Sequence, residues 1–247
     1  MDEFDISVIV TAHTETVLAG PTIHSAENAI NQVESAGYKV ERLIGLDAPS
    51  SDCRTYFSQP KFEYWNRIEM AFMDQGKIRN HMSYIAKGKW VAFLDADDLY
   101  SENWLLYAAL CLKNAENKND KIIVHPELNW IFDQSAGIVI KMDQKDELFD
   151  PYLFYFANYY DALCMAPKSA YVAIPYVERD IENGFALEDW QWNIETIEAG
   201  WKHVIAKDTI IFKRRRELSQ NINASKRSAV IRNIEPMAID NINNLGR

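Results

Sequence analysis

The first strong signal in the chain is an apolar, β-branched run from Ile6 to Thr11, of the kind that forms a strand buried on both faces. A polar loop follows, and Pro21, suited to the first turn of a helix, opens a helical pattern that runs to about Ala36 and stops at Gly37. Val40 to Leu46 predicts a second strand that ends at Asp47, with the turn-rich segment Ala48 to Asp52 directly after it. Phe62 to Trp65 reads as a short third strand and Gln75 to Ala86 as a helix closed off by Gly88. Trp90 to Leu94 is a strand that ends in acid, and Ser101 is placed to cap a helix from about Glu102 to Asn114. Alternation of this kind predicts an α/β fold, with a Rossmann-like, mostly parallel central sheet flanked by helices.

From Lys121 onward the strand-like pieces become shorter and richer in aromatic residues: Ile122 to His125, Gly137 to Met142 and Tyr160 to Met165. They predict a mixed second half packed on the same sheet. Glu188 to Ala199 returns to helical character and ends at Gly200, and two strand candidates follow, Lys202 to Ala206 and Thr209 to Lys213. Ile231, Ile234, Ala238, Ile242 and Leu245 then recur at helix-like spacing, interrupted by Pro236. The expected organisation is one domain over residues 1–217, its halves meeting near residue 100, and a helical tail over 218–247.

Composition narrows the class. A chain of 247 residues with 48% hydrophobic content can build one sizeable core. Its net charge of -10 argues against a general nucleic-acid surface. Cys53, Cys111 and Cys164 are too few and too scattered for a disulfide framework or a zinc cluster, so a reducing cytoplasm is the expected setting. The opening MDEFDISVIV lacks the basic flank and cleavage site of a secretory signal, and no apolar run approaches the roughly 20 residues that span a bilayer. The aromatic stretch Tyr152 to Ala166, which carries Asp161, reads as core or as part of a cleft.

Candidate chemistry concentrates where WVAFLDADDL ends a strand in Asp95, Asp97 and Asp98. Crowding that much negative charge is costly unless a cation shares the site, and hard oxygen ligands suit magnesium or manganese bound together with a diphosphate. In open α/β sheets ligands bind beyond the carboxyl ends of the strands. Thr11 with His13, Asp47, the Asp95 cluster and, by way of a helix start, Asp189 all fall at such ends, which predicts one shared crevice. Lys77, Arg79 and Asn80 open a helix, where phosphate is favoured, or else form a solvated face. His81 beside them reads as a packed or surface residue. In GFALEDWQWN the pair Glu188 and Asp189 suits a helix amino terminus, while Trp190 and Trp192 offer flat surfaces that stack on sugar rings. KRRR, Lys213 to Arg216, is a cationic cluster that would neutralise a diphosphate or sit in a basic surface loop.

Taken in order over roughly Ile6 to Ser219, these pieces resemble the inverting glycosyltransferases of family 2, with the GT-A fold, and most closely the bacterial enzymes that build surface polysaccharides. SVIVTAH resembles their opening strand and nucleotide loop, GLDAPSSD their second-strand motif, and KIRNHMSYIAKGKWVAFLDADDL their most specific block, including the DxD metal motif. The resemblance implies donor-nucleotide contacts at Thr11, His13, Asp47, Arg79, Asn80 and Asp95, with Arg214 or a neighbour on the diphosphate. It implies a metal, manganese or magnesium, on Asp97 with Asp95 and Asp98. Asp189 would be the general base beside Glu188, and Trp190 and Trp192 would face the acceptor. The implied partners are a nucleoside-diphosphate sugar and a glycan or lipid-linked glycan. A neighbouring enzyme module or peripheral attachment at the inner face of the membrane is compatible with that role.

Three departures stand out. His13 replaces the usual tyrosine, Thr14 replaces the frequent asparagine, and Lys213 to Arg216 occupy the region where relatives often place a histidine. No QxxRW motif follows the acidic pair, which argues for a non-processive enzyme. Two rival readings are a catalytically silent glycan-binding module and a phosphatase of the haloacid dehalogenase type. The second fits poorly, because DADD comes late in the chain and Leu99 stands where threonine or valine is expected.

Overall fold

The computed structural model describes residues 3–215 and 230–246. The elements, in chain order, are β1 (Phe4–Ala12), α1 (Ala19–Ser35), β2 (Val40–Asp47), α2 (Ser51–Phe57), β3 (Asn66–Met70), α3 (Gln75–Ile85), β4 (Gly88–Asp95) and β5 (Leu99–Tyr100). There follow α4 (Trp104–Asn117), β6 (Ile122–Asp133), β7 (Gly137–Ile140), β8 (Met165–Pro167), α5 (Lys168–Ala173), α6 (Glu188–Glu198) and β9 (Lys202–Arg215). The strands form one sheet in the order β3-β2-β1-β4-β8-β6-β9-β5, with β7 paired to β6.

The first four strands are parallel, as the alternating pattern predicts. β1 lies between β2 and β4, and Ile6, Val8, Ile9 and Val10 are all fully buried, because helices cover both faces of a parallel sheet. Gly37, at φ 95°, ends α1 in a conformation that favours glycine. In the second half β8 runs antiparallel to both β4 and β6, while β6 and β9 pair in parallel over most of their length. The mixed half is therefore continuous with the parallel half through one sheet.

Several sequence expectations need correction. The third strand starts at Asn66, since Phe62 belongs to a 3-10 turn and packs its ring 5.2 Å from those of Tyr56 and Phe57. Ser101 does not cap α4. Its hydroxyl donates to Asn103 and accepts the Ile210 amide, which ties the approach to α4 onto β9. Of Tyr160 to Met165 only Met165 joins a strand, because the Asp161 carboxylate takes the Leu163 amide in a local turn that competes with sheet pairing. The two expected strands after Gly200 are one, β9, which continues across a register irregularity opposite Pro126 and Leu128.

The tail also differs. Residues 218–229 lie outside the described residues, and beyond them Pro236 leaves only short 3-10 turns, Glu235–Met237 and Ile242–Asn244, in place of a helix. The apolar spacing still has a purpose, for Ile242 and Leu245 are buried in a second, smaller core with Phe154, Tyr160, Ile194, Ile197 and Ile205. Among the described residues no helix is long and apolar enough to cross a membrane.

Candidate active site

The carboxyl ends of β1, β2 and β4 open into a crevice of about 440 Å³, a size typical of small-molecule sites. This is the place where strand order reverses around β1, the usual ligand position in an open α/β sheet. Thr11, His13, Asp47, Arg79, Asp95, Asp97, Asp98, Glu188, Asp189 and Lys213 to Arg215 all line it. Arg216 lies outside the described residues.

Thr11 and Asp95 are direct neighbours in the β1–β4 register, so the Thr11 hydroxyl donates to Asp95 Oδ1 at 2.9 Å. Arg79, on the inward face of α3, donates to the same oxygen at 3.3 Å and to Glu188 Oε1 at 3.0 Å. Only 3% of Arg79 is exposed, and its Nε is buried without a hydrogen-bond partner. The two carboxylates outweigh the effect of burial and keep the guanidinium charged. Arg79 thus joins the end of β4 to the start of α6.

Asp47 is more occupied than its expected ligand role suggests. Its carboxylate accepts the amides of Phe72, Met73 and Asp74 at 2.6, 3.0 and 3.2 Å. Asp74 in turn caps α3 by accepting the Lys77 amide, and Gly76 lets that helix approach Val177, whose carbonyl oxygen would lie 2.7 Å from a Cβ. Asp47 therefore organises the loop that precedes α3. His13 Nδ1 lies 2.6 Å from the Asp47 carbonyl oxygen, an acceptor only, so that nitrogen carries the proton. Ala48, Met73 and Leu187 sit at positive φ of 46°, 53° and 65°, which places left-handed backbone beside Asp47, in the loop it holds, and just before Glu188.

The electrostatics separate the acidic residues. Asp98 is buried, accepts the Arg214 amide at 2.7 Å, and lies 3.8 Å from Lys213 Nζ. Burial pushes its carboxyl up to about 8, with Lys213 opposing and the charges of Asp95 and Asp97 adding. Asp98 thus lines the crevice and is at the same time engaged with β9. Asp189 is the second residue of α6, and burial together with the Glu188 charge pushes its carboxyl up to about 6 against the pull of Arg79.

Among the described residues no three histidine, cysteine, aspartate or glutamate side chains converge as a complete metal cage. The oxygen donors of Asp95 and Asp97 fit an ion held through one or two carboxylates, with the rest of its shell supplied by phosphate oxygens, as is usual for magnesium.

Three further expectations are overturned. Asn80 faces away from the crevice and spans the Tyr176 backbone, donating to its carbonyl and accepting its amide at 2.8 Å each. Trp192 is 1% exposed, stacked on Tyr171 and Tyr176, and donates to the Ile174 carbonyl, because it lies on the inward face of α6. Trp190 packs on the smaller core and does not line the crevice. Lys77 pairs with Glu178 and His81 meets the edge of Phe72, both as surface chemistry. Asp161 and Lys141 were missed as a pair. An acid inside an apolar run was the available signal, since such a charge needs a partner.

No protein-family model and no curated protein matches the chain. Solved structures do. S. aureus TarS 1–349 aligns with a TM-score of 0.63 at 12% identity, over 85% of this chain and 60% of that one. GalNAc-T7, crystallised with UDP, GalNAc and Mn2+, aligns with a TM-score of 0.60 at 14% identity, over 86% of this chain and 44% of that one. The mannosyltransferase PcManGT from Pyrobaculum calidifontis, in complex with GDP-Man and Mn2+, gives 0.56 at 14% identity, over 85% and 56%. The chain spans between 44% and 60% of the length of these structures, and at such identities the likeness establishes a shared fold.

Proposed function

The chain has the GT-A fold, and on that frame we propose that it is a metal-dependent, inverting glycosyltransferase of the family 2 type. It moves a sugar from a nucleoside-diphosphate sugar to a hydroxyl of a glycan or lipid-linked glycan, in bacterial surface-polysaccharide synthesis at the cytoplasmic side of the membrane. The observation that carries this reading is the meeting of the acidic turn Asp95–Asp98 and the base candidate Asp189 in one crevice, tied together by Arg79. Complexes of two of the structural neighbours contain both a nucleotide or nucleotide sugar and Mn2+, which supports the donor class.

Asp97 and Asp95 would hold the divalent ion. When bound, such an ion supplies positive charge that stabilises the leaving diphosphate. Thr11 and Arg79 fix the Asp95 carboxylate, and Asp47 fixes the loop under the nucleotide side. Asp189 takes the proton of the acceptor hydroxyl as that oxygen bonds to the anomeric carbon. The bond from that carbon to the phosphate oxygen breaks on the opposite face, and its electron pair leaves with the nucleoside diphosphate. Glu188 is held by Arg79, so α6 presents Asp189 in a fixed orientation.

A thermal-shift panel of UDP, GDP, CDP and ADP with and without manganese tests the reading. Stabilisation by at least one of them that requires the metal is expected, about 2.7 kcal/mol at a hundredfold excess over Kd. No stabilisation by any of the four would overturn the donor class. Nucleotide binding without sugar transfer or donor hydrolysis would leave a binding module instead of an enzyme.

A further inference from the structure

Beside the crevice lies a buried charge cluster built around Asp161. Asp161 Oδ2 accepts from Asn129 Nδ2 at 2.5 Å and pairs with Lys141 Nζ and Lys213 Nζ at 3.2 Å each, while Oδ1 takes the Leu163 amide at 3.0 Å. A buried carboxylate needs one cation to be compensated. Here two lysines share it, and Lys213 has a second carboxylate, Asp98, at 3.8 Å. The side chain of Lys141 is 1% exposed and sealed, whereas Lys213 lines the crevice. Lys213 is therefore the cation of this cluster that reaches the crevice.

Its geometry leaves that charge available. Of the three ammonium donors, one is taken by Asp161, and Asp98 at 3.8 Å is beyond hydrogen-bond distance. Burial disfavours the ammonium, but Asp161, Asp98 and Asp95 outweigh it and keep Lys213 protonated. Arg214, one residue on, also lines the crevice; its Nε is engaged with Asp133 at 2.6 Å while its Nη1 is buried without a hydrogen-bond partner, so it is a second cation at the same edge.

We propose that Lys213 is the protein cation that meets the diphosphate of the donor, and that Asp161, backed by Lys141, is the residue that positions it. The inference rests on the nucleoside-diphosphate reading above and names the residue that reading leaves open. A cation fixed in advance offers a phosphate charge-assisted hydrogen bonds without reorganisation of the site.

The test compares a nucleoside diphosphate with its own nucleoside by calorimetry at fixed manganese, using UDP with uridine and GDP with guanosine. The ratio of the two affinities isolates contacts to phosphate from contacts to base and ribose. Lys213→Gln is expected to lower that ratio about tenfold and to leave nucleoside affinity unchanged. Asp161→Asn is expected to lower it in the same direction, because Lys213 loses its anchor. Asn129→Ala, which keeps every charge and removes one hydrogen bond from Asp161, is the milder variant should Asp161→Asn fail to fold, with an expected fall of about threefold. A wild-type ratio in Lys213→Gln would overturn the proposal. So would an equal loss of nucleoside and diphosphate binding in the Asp161 or Asn129 variant, the mark of a merely structural role. CDP with cytidine and ADP with adenosine complete the set, and if the wild-type protein binds none of the four diphosphates the donor reading itself fails, a result distinct from binding that Lys213 does not influence.

Discussion

Arg79 Nη1 and Glu188 Oε1, 109 residues apart in the chain, meet at 3.0 Å inside the protein. The contact links α3 to α6, and through the second Arg79 nitrogen it reaches Asp95 at the end of β4. Its side-chain partners are almost fully enclosed on the Glu188 side and partly open on the Asp95 side. Removing the cation therefore strands a buried carboxylate. Arg79→Met should cost about 3–5 kcal/mol of unfolding free energy, read from urea denaturation. Arg79→Lys should recover only part of that loss, since an ammonium on a single stem does not span two carboxylates as the planar fork does. Equal stability of Arg79→Met and wild type would mean that the clamp contributes nothing.

As the proposed base, Asp189 would set a pH limit on transfer. A carboxyl pushed up to about 6 is mostly protonated below that pH, and a protonated acid accepts no proton from the acceptor. The rate should fall about tenfold per unit as pH drops below about 6, provided chemistry is rate-limiting. Stability runs the other way for this group. Its folded pKa is raised, so its charged form costs folding free energy as pH rises from about 4 through 6. Asp189→Asn should thus abolish transfer, leave nucleotide binding near wild type, and stabilise the fold more at about pH 8 than at about pH 4. Glu188→Gln removes the neighbouring like charge and should move the acid limb of the rate profile to lower pH.

Asp97 and Asp98 should separate in their dependence on manganese, although both stand in the same acidic turn. Asp98 already accepts the Arg214 amide, and its carboxyl is pushed up by burial, so Asp98→Asn keeps an acceptor and removes a costly charge. Stability of that variant should match or exceed wild type. Asp97→Asn should raise the manganese concentration needed for nucleotide binding far more than Asp98→Asn, and lower transfer by about a hundredfold or more. Manganese titrations of nucleotide affinity distinguish the two. Equal effects would place Asp98 on the metal after all.

The parallel half of the sheet was legible because each strand carries its own local signal. β1, β2 and β4 are largely apolar runs with a polar residue at or near the end, and the end of a parallel strand is also where ligands bind, so Thr11, Asp47 and Asp95 declared their position at the crevice. Arg79 was legible as a helix-start cation but its partners were not, because Glu188 is distant in sequence. The same limit hid Asp161, Lys141 and Lys213, which lie in or beside elements that meet only when β6 pairs with β7 and with the distant β9. The direction of a side chain at an element's edge was the other loss. Asn80 is the next residue after Arg79, and a rotation of one residue around α3 sends it to the Tyr176 backbone, away from the crevice.

Trp192 carries the clearest consequence of that rotation. An aromatic residue three positions after an acidic base candidate invites a role under a sugar ring, but this indole lies 5.1 Å from the Tyr171 ring at an interplanar angle of 8° and 4.9 Å from that of Tyr176. Its Nε1 donates to the Ile174 carbonyl at 2.6 Å, so the polar edge is satisfied inside the protein. Trp192→Ala should cost about 3–5 kcal/mol through lost burial and the cavity left behind. Trp192→Phe keeps an aromatic surface but leaves the Ile174 carbonyl without its donor, a loss of about 1–3 kcal/mol. Because neither variant reaches the crevice, the acceptor KM measured on the folded fraction should stay at the wild-type value in both, with kcat changed little in Trp192→Phe. A rise in acceptor KM without a fall in stability would restore the indole to the acceptor site and require α6 to rotate when substrate binds.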